Sequence, residues 1–106
     1  MNRNEYGNYI RVNLNTDLSP YDMSLILKSP TPYVKEAILS KNEGLIIGST
    51  DITIGDEVFL SGQYIEYKIL KGDIFLSGNW GLKVLAKSIS GNELRFTDNI
   101  SFYVSP

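Results

Sequence analysis

The chain has 106 residues, 42% hydrophobic and 21% charged, with a formal net charge of −2 and neither cysteine nor histidine. That length fits one small domain with a modest core, and the slight acidity excludes nucleic acid as an expected partner, because phosphate binding wants a net positive patch. Without Cys and His there are no disulfides, no thiolate or imidazole metal sites, no thiol nucleophile and no Ser-His-Asp triad.

The first eight residues, MNRNEYGN, are polar and Asn-rich, and read as a flexible or interface-forming arm ahead of a folded domain over residues 9–106. Ile10, Val12 and Leu14 then alternate with Arg11, Asn13 and Asn15, the pattern of a strand with one buried face. Thr16–Pro20 (TDLSP) reads as a turn, since Asp17 and Ser19 bond locally and Pro20 lacks an N–H. Met23, Leu25 and Leu27 recur at spacing two, which leaves Ile26 on the other face. Ser29–Pro32 (SPTP) closes that strand, because two prolines so close cannot sit inside a ladder.

The segment Tyr33–Lys41 fits two patterns. Val34, Ala37 and Ile38 fall at helical spacing, while Tyr33, Lys35, Ala37 and Leu39 would share one face of a strand. The Pro-rich flanks and the β character of the rest favour the strand. Asn42-Glu43-Gly44 reads as a turn and Leu45–Ile47 as a short strand. Ile52, Ile54, Val58 and Leu60 continue the β signal around Gly55-Asp56. Next, Ile65, Tyr67 and Ile69 alternate with Glu66 and Lys68. Ile74–Leu76, bracketed by Lys71-Gly72-Asp73 and Ser77-Gly78-Asn79, looks like a tight corner that returns apolar residues to the core. Trp80, Leu82, Val84 and Ala86 alternate with Gly81, Lys83, Leu85 and Lys87. Ser90-Gly91-Asn92 reads as a hairpin turn, and Leu94, Phe96, Phe102 and Val104 as the last strand.

About seven short strands, separated by turn signals every 8–12 residues or so, predict an all-β fold: a single immunoglobulin-like antiparallel β-sandwich. No apolar run has the length of a membrane span or the make-up of a signal-peptide core, so no membrane is expected.

Carboxylates are the one route left to catalysis or metal binding. Asp51, Asp56, Glu57, Glu66, Asp73 and Asp98 are the candidates, and a pair about 5–9 Å apart would suit glycoside hydrolysis. Most stand beside Gly, Thr or Asn, where turns place them, so no enzyme activity is expected. Asp51, Asp56 and Glu57 are close in sequence but lack the alternating acidic spacing of a calcium loop; no metal and no cofactor is expected. Trp80 shares parity with Leu82, Val84 and Ala86, which assigns it to the core rather than to a ligand platform. The same parity turns Ile26, Tyr64, Leu85 and Tyr103 outward. Several apolar residues on one sheet face would mark a protein interface, where aromatics are enriched, so these four are the candidate interface residues.

The order NYIRVNLN, DLSPYDMSLILKSP, YIEYKILKGDIFLSGNWGLKVLAK and a closing ISFYVSP resembles the small immunoglobulin-like domains of tailed-phage structural proteins. It is similar to the N-terminal domain of phage baseplate upper proteins. The corner before the penultimate strand carries the likeness, here Asp73, Ile74, Gly78 and Trp80, and the resemblance runs from about Asn8 to Pro106. It implies a non-enzymatic virion protein: a capsid decoration, head fibre, tail knob or baseplate component. Such a domain docks onto capsid, tail or fibre subunits, or onto copies of itself. It brings no catalytic residues, and the expectation does not extend to the receptor-binding part of the baseplate protein, which lies in the domains that follow there. A reading from another class is a carbohydrate-binding or adhesive immunoglobulin-like module of a bacterial surface protein. Solvent-exposed aromatics in a groove and ordered calcium would distinguish it.

Overall fold

The computed structural model describes residues 1–32, 34–91, 97 and 100–106, with the backbone alone of residues 93–95. The expectations placed on Tyr33, Asn92, Phe96, Asp98 and the Leu94 side chain lie outside the described residues.

Among the described residues the chain is all-β, with no α-helix and a single 3-10 turn at Lys41–Glu43. The strands are β1 (Tyr9–Asn13), β2 (Tyr21–Lys28), β3 (Glu36–Leu39), β4 (Ile46–Ile47), β5 (Ile52–Ile54), β6 (Glu57–Phe59), β7 (Tyr64–Lys68), β8 (Gly78–Ser88), β9 (Glu93–Arg95) and β10 (Ile100–Val104). One antiparallel sheet runs β1-β7-β4. A second runs β10-β8-β2-β3, with β9 also paired to β8, and β5 and β6 form a separate hairpin.

The two sheets enclose one core. Val12, Ile65 and Tyr67 from the first sheet and Met23, Leu25, Leu27, Leu82 and Val84 from the second belong to a single buried cluster. Each such aliphatic side chain contributes about 1.5–3 kcal/mol on burial. Trp80 lies in this core at 3% exposure. Its indole N–H donates to the Leu76 carbonyl at 2.9 Å, and its ring stacks on Phe102 with centroids 6.2 Å apart. The inward faces read from Met23-Leu25-Leu27 and Trp80-Leu82-Val84-Ala86 are all buried. Leu18, inside the TDLSP turn, is fully buried as well. Asp17 makes that turn: its carboxylate accepts from the Ser19 amide at 3.0 Å and hydroxyl at 3.1 Å, and these bonds hold its pKa below the ordinary carboxylate value.

The strand count is higher than sequence alone suggests, partly because the last strand is split. Arg95 faces Leu85 and Ile100 faces Leu82, so five steps along the closing chain span three along β8. The two strands are therefore out of step with each other along β8. Between them, the Val84 amide donates to the Thr97 hydroxyl at 2.9 Å.

Tyr33–Lys41 forms a strand in its second part, where β3 pairs with Leu25–Lys28 of β2. Ser40 then starts the 3-10 turn as a capping box. Its hydroxyl accepts from the Asn42 amide, and the Glu43 carboxylate accepts from the Ser40 amide. Gly44 closes the turn at φ +95°, a conformation glycine adopts without a Cβ penalty. This short connection carries the chain from one sheet to the other.

The Asp73 corner is built as a hydrogen-bonded turn. The Asp73 carboxylate accepts from the Leu70 amide at 2.8 Å and from the Tyr67 hydroxyl at 2.5 Å, while Ile74 is fully buried. The N-terminal arm is tied down beside it. Arg3 and Asn4 amides donate to Ser105 and Ile74 carbonyls, and the Gly7 amide donates to Ile69.

Candidate docking surface

On the β10-β8-β2-β3 sheet, the residues between the core positions form the outer face. Register places Ile26 directly beside Ile38 of β3 and Lys83 of β8. Leu85 stands opposite Ser24, one diagonal step from Ile26; diagonal neighbours lie about 7–8 Å apart, within reach of long side chains. Ile38 is 63% exposed, while Ile26 and Leu85 are partly exposed. Ile26, Ile38 and Leu85 therefore make one apolar strip. Lys28 and Lys87 flank it, each with a carboxylate as cross-strand neighbour: Glu36 beside Lys28 and Asp22 beside Lys87. Tyr103, 60% exposed, is opposite Asn79 at the far end of the sheet. It shares the face but not the strip.

Sequence parity missed Ile38, because its segment fitted two patterns. The expectation for Tyr64 is corrected. Tyr64 does point away from Ile65 and Tyr67, but that side of the sheet is covered, and Tyr64 is 1% exposed. The β5–β6 hairpin lies over it. Phe59 packs edge-on against its ring at a centroid distance of 5.5 Å, and its hydroxyl donates to the Thr50 carbonyl at 2.8 Å. Gly48 makes the room, since a Cβ there would sit 1.9 Å from the ring's ζ carbon. Tyr64 is a core residue and no part of a docking surface.

Three of the candidate carboxylates are taken up in separate structural bonds. Asp51 accepts from the Ser61 amide at 2.8 Å, Glu66 pairs with Arg11 at 2.9 Å, and Asp73 holds its corner. Among the described residues no group of three or more acidic side chains converges as a metal site would require. Burial and the neighbouring Asp73 carboxylate push the Tyr67 hydroxyl well above the ordinary tyrosine range.

Two grooves open where the sheets part. β3 pairs with Leu25–Lys28 of β2, and Tyr21–Ser24, before that stretch, borders a cleft of about 470 Å³ together with Ser40–Asn42 and Leu45–Ile47. On the opposite side, between β1 and β10, a cleft of about 270 Å³ is lined by Met1, Tyr9, Arg11, Ile100, Phe102 and Tyr103. There the Arg11 guanidinium stacks over the Tyr9 ring at 4.6 Å. No family model matches the chain, and neither a curated protein nor a solved structure matches it.

Proposed function

We propose that this chain is a non-enzymatic structural protein of a tailed-phage virion that docks onto neighbouring subunits through the outer face of its β10-β8-β2-β3 sheet. Its architecture on this reading is a single immunoglobulin-like sandwich. Size and layering support it, but one feature of the strand distribution differs: constant-type immunoglobulin sandwiches put the second and third strands in opposite sheets, whereas β2 and β3 pair here. The observation that carries the docking reading is the apolar strip of Ile26, Ile38 and Leu85, exposed at Ile38 and partly exposed at the other two, on an otherwise polar sheet face. Such strips mark protein interfaces. The test is reconstitution with the particle's other proteins. Ile38→Asp, Leu85→Ser and Tyr103→Ser variants, checked for native circular dichroism, lose incorporation if the face docks. Unchanged incorporation of all three overturns the reading.

A carbohydrate-binding module of a bacterial surface protein is the second reading. It is favoured by the exposed Tyr9 and Tyr103 lining one cleft together with Arg11, since an aromatic wall beside a guanidinium suits a sugar ring. A glycan array, run with and without chelator, decides it. Binding lost in Tyr9→Ala and Tyr103→Ala supports it, and no binding to any glycan removes it.

A further inference from the structure

The β5–β6 hairpin has a chemistry unlike the rest of the chain. Residues 49–61 contain Asp51, Asp56 and Glu57 and no Lys or Arg. Ile54, Val58 and Leu60 of this stretch are all exposed. The hairpin turns tightly at Gly55-Asp56, with Gly55 at φ +60° in the first central position, the position a two-residue II′-type turn gives to glycine. Its base is fixed rather than free: Phe59 packs on Tyr64, the Asn13 amide group donates to the Val58 carbonyl at 2.9 Å, and Asp51 receives the Ser61 amide. The result is a rigid, acidic, apolar prong.

The outer face of the second sheet has the complementary chemistry. Lys28 and Lys87 each have a carboxylate as cross-strand neighbour, but the β2 residue facing Lys83 is Ile26, and among the described residues Lys83 makes no ion pair. A cation is thus left in the middle of the apolar strip. Beside it the missing side chain of Gly81 leaves a dent of about 90 Å³, lined by Ile26, Lys28, Glu36, Leu82 and Lys83.

We infer that the occupant of this face is a second copy of the chain, whose β5–β6 prong lays the outward Val58 and Leu60 on the strip and dent and brings its Asp56-Glu57 tip to Lys83. This rests on the docking reading above and names its partner. The prong and the face lie on the outer sides of different sheets, so the contact is heterologous: each copy uses one surface to give and another to receive. Such contacts propagate into a ring if the rotation closes and into a filament if it does not. Opposite charge sets register and partner choice, while the apolar contacts supply affinity.

A charge-swap experiment tests this by sedimentation equilibrium across protein concentration. The wild type associates, and raising salt weakens the association, because exposed pairs are screened. The double variant Asp56→Lys, Glu57→Lys and the single variant Lys83→Glu each shift the association midpoint upward by about tenfold or more, the equivalent of roughly 1.4 kcal/mol. An equimolar mixture of the two restores association, because the reversed prong of one meets the reversed face of the other. Gly81→Ala fills the dent without strain, since its Cβ would meet only the Lys28 Cβ at 3.6 Å, and it weakens association while leaving the fold intact. A wild type that stays monomeric to about 1 mM, or association that no swap alters, overturns the inference. If such a monomer still needs Ile38 for particle incorporation, the docking reading stands without self-association. If the swap pair behaves as expected while incorporation ignores Ile38 and Leu85, self-association stands and virion docking falls.

Discussion

The two sheets face each other across one core, and their outer faces end differently. On β1-β7-β4 the outward Tyr64 is roofed by the β5–β6 hairpin and disappears from solvent. On β10-β8-β2-β3 the outward Ile38 is exposed and Ile26 and Leu85 are partly so, and none of the described residues lies over them as the hairpin lies over Tyr64. Alternation in a strand decides which of two faces a side chain takes. It does not decide whether that face is covered. One outward tyrosine therefore belongs to stability, whereas the outward aliphatics of the other sheet are available to a partner.

The sharpest way to break this comparison is to attack the roofed side. Tyr64→Ala empties a fully enclosed site and is expected to cost about 3–5 kcal/mol, the range for large aromatic truncations in cores. Gly48→Ala drives a methyl into the same ring and should cost about 1–3 kcal/mol or more as overpacking. Urea denaturation measures both. A loss under about 1 kcal/mol for Tyr64→Ala would mean the hairpin is not a true cover.

The next effect depends on pH and belongs to the inner face of the roofed sheet. Folding raises the pKa of Tyr67 through burial and the adjacent Asp73 carboxylate. An acid whose folded pKa is raised keeps its proton when the unfolded chain has already lost it. Its stabilisation is therefore complete below the unfolded value of about 10 and is lost as pH rises above that value. The wild type should lose stability there with a limiting slope of about 1.4 kcal/mol per pH unit from this group. Tyr67→Phe should flatten the decline. Identical alkaline slopes for the two proteins would show that Tyr67 is not the group responsible.

The smallest effect is expected on the bare side. Ile38→Ser and Leu85→Ser should leave folding stability within about 0.5 kcal/mol of wild type, as surface changes do, while any partner binding through the strip weakens. A stability loss above about 2 kcal/mol for Ile38→Ser would place that residue in the core and erase the contrast between the faces.

Much of this arrangement was legible in the sequence. The parity of Trp80, Leu82, Val84 and Ala86 located the core face of the longest strand, and Met23, Leu25 and Leu27 that of its neighbour. Glycine and Asp-Asn clusters marked the turns. What stayed hidden was what depends on partners far along the chain. Tyr64 is enclosed by Phe59 and Gly48, and no local pattern records that a hairpin folds back over a strand. Leu18 looks like a turn residue because Asp17, Ser19 and Pro20 surround it, yet the turn itself aims it into the core. The break between β9 and β10 arises from a mismatch in pairing length against β8, which only the register of two strands reveals. Ile38 joins the strip through its cross-strand neighbour Ile26, and the helical spacing around it obscured that strand.

The tie between the arm and the end of the sheet has a topological consequence. The Met1 carbonyl accepts from the Ser105 amide, and Asn2 bridges in parallel to Ser105. Chain entry and exit are thus neighbours at one corner of the molecule. A peptide of a few residues would close the backbone into a circle, and the domain could be spliced into an exposed loop of a host protein with little distortion, because adjacent termini are what permutation and insertion require.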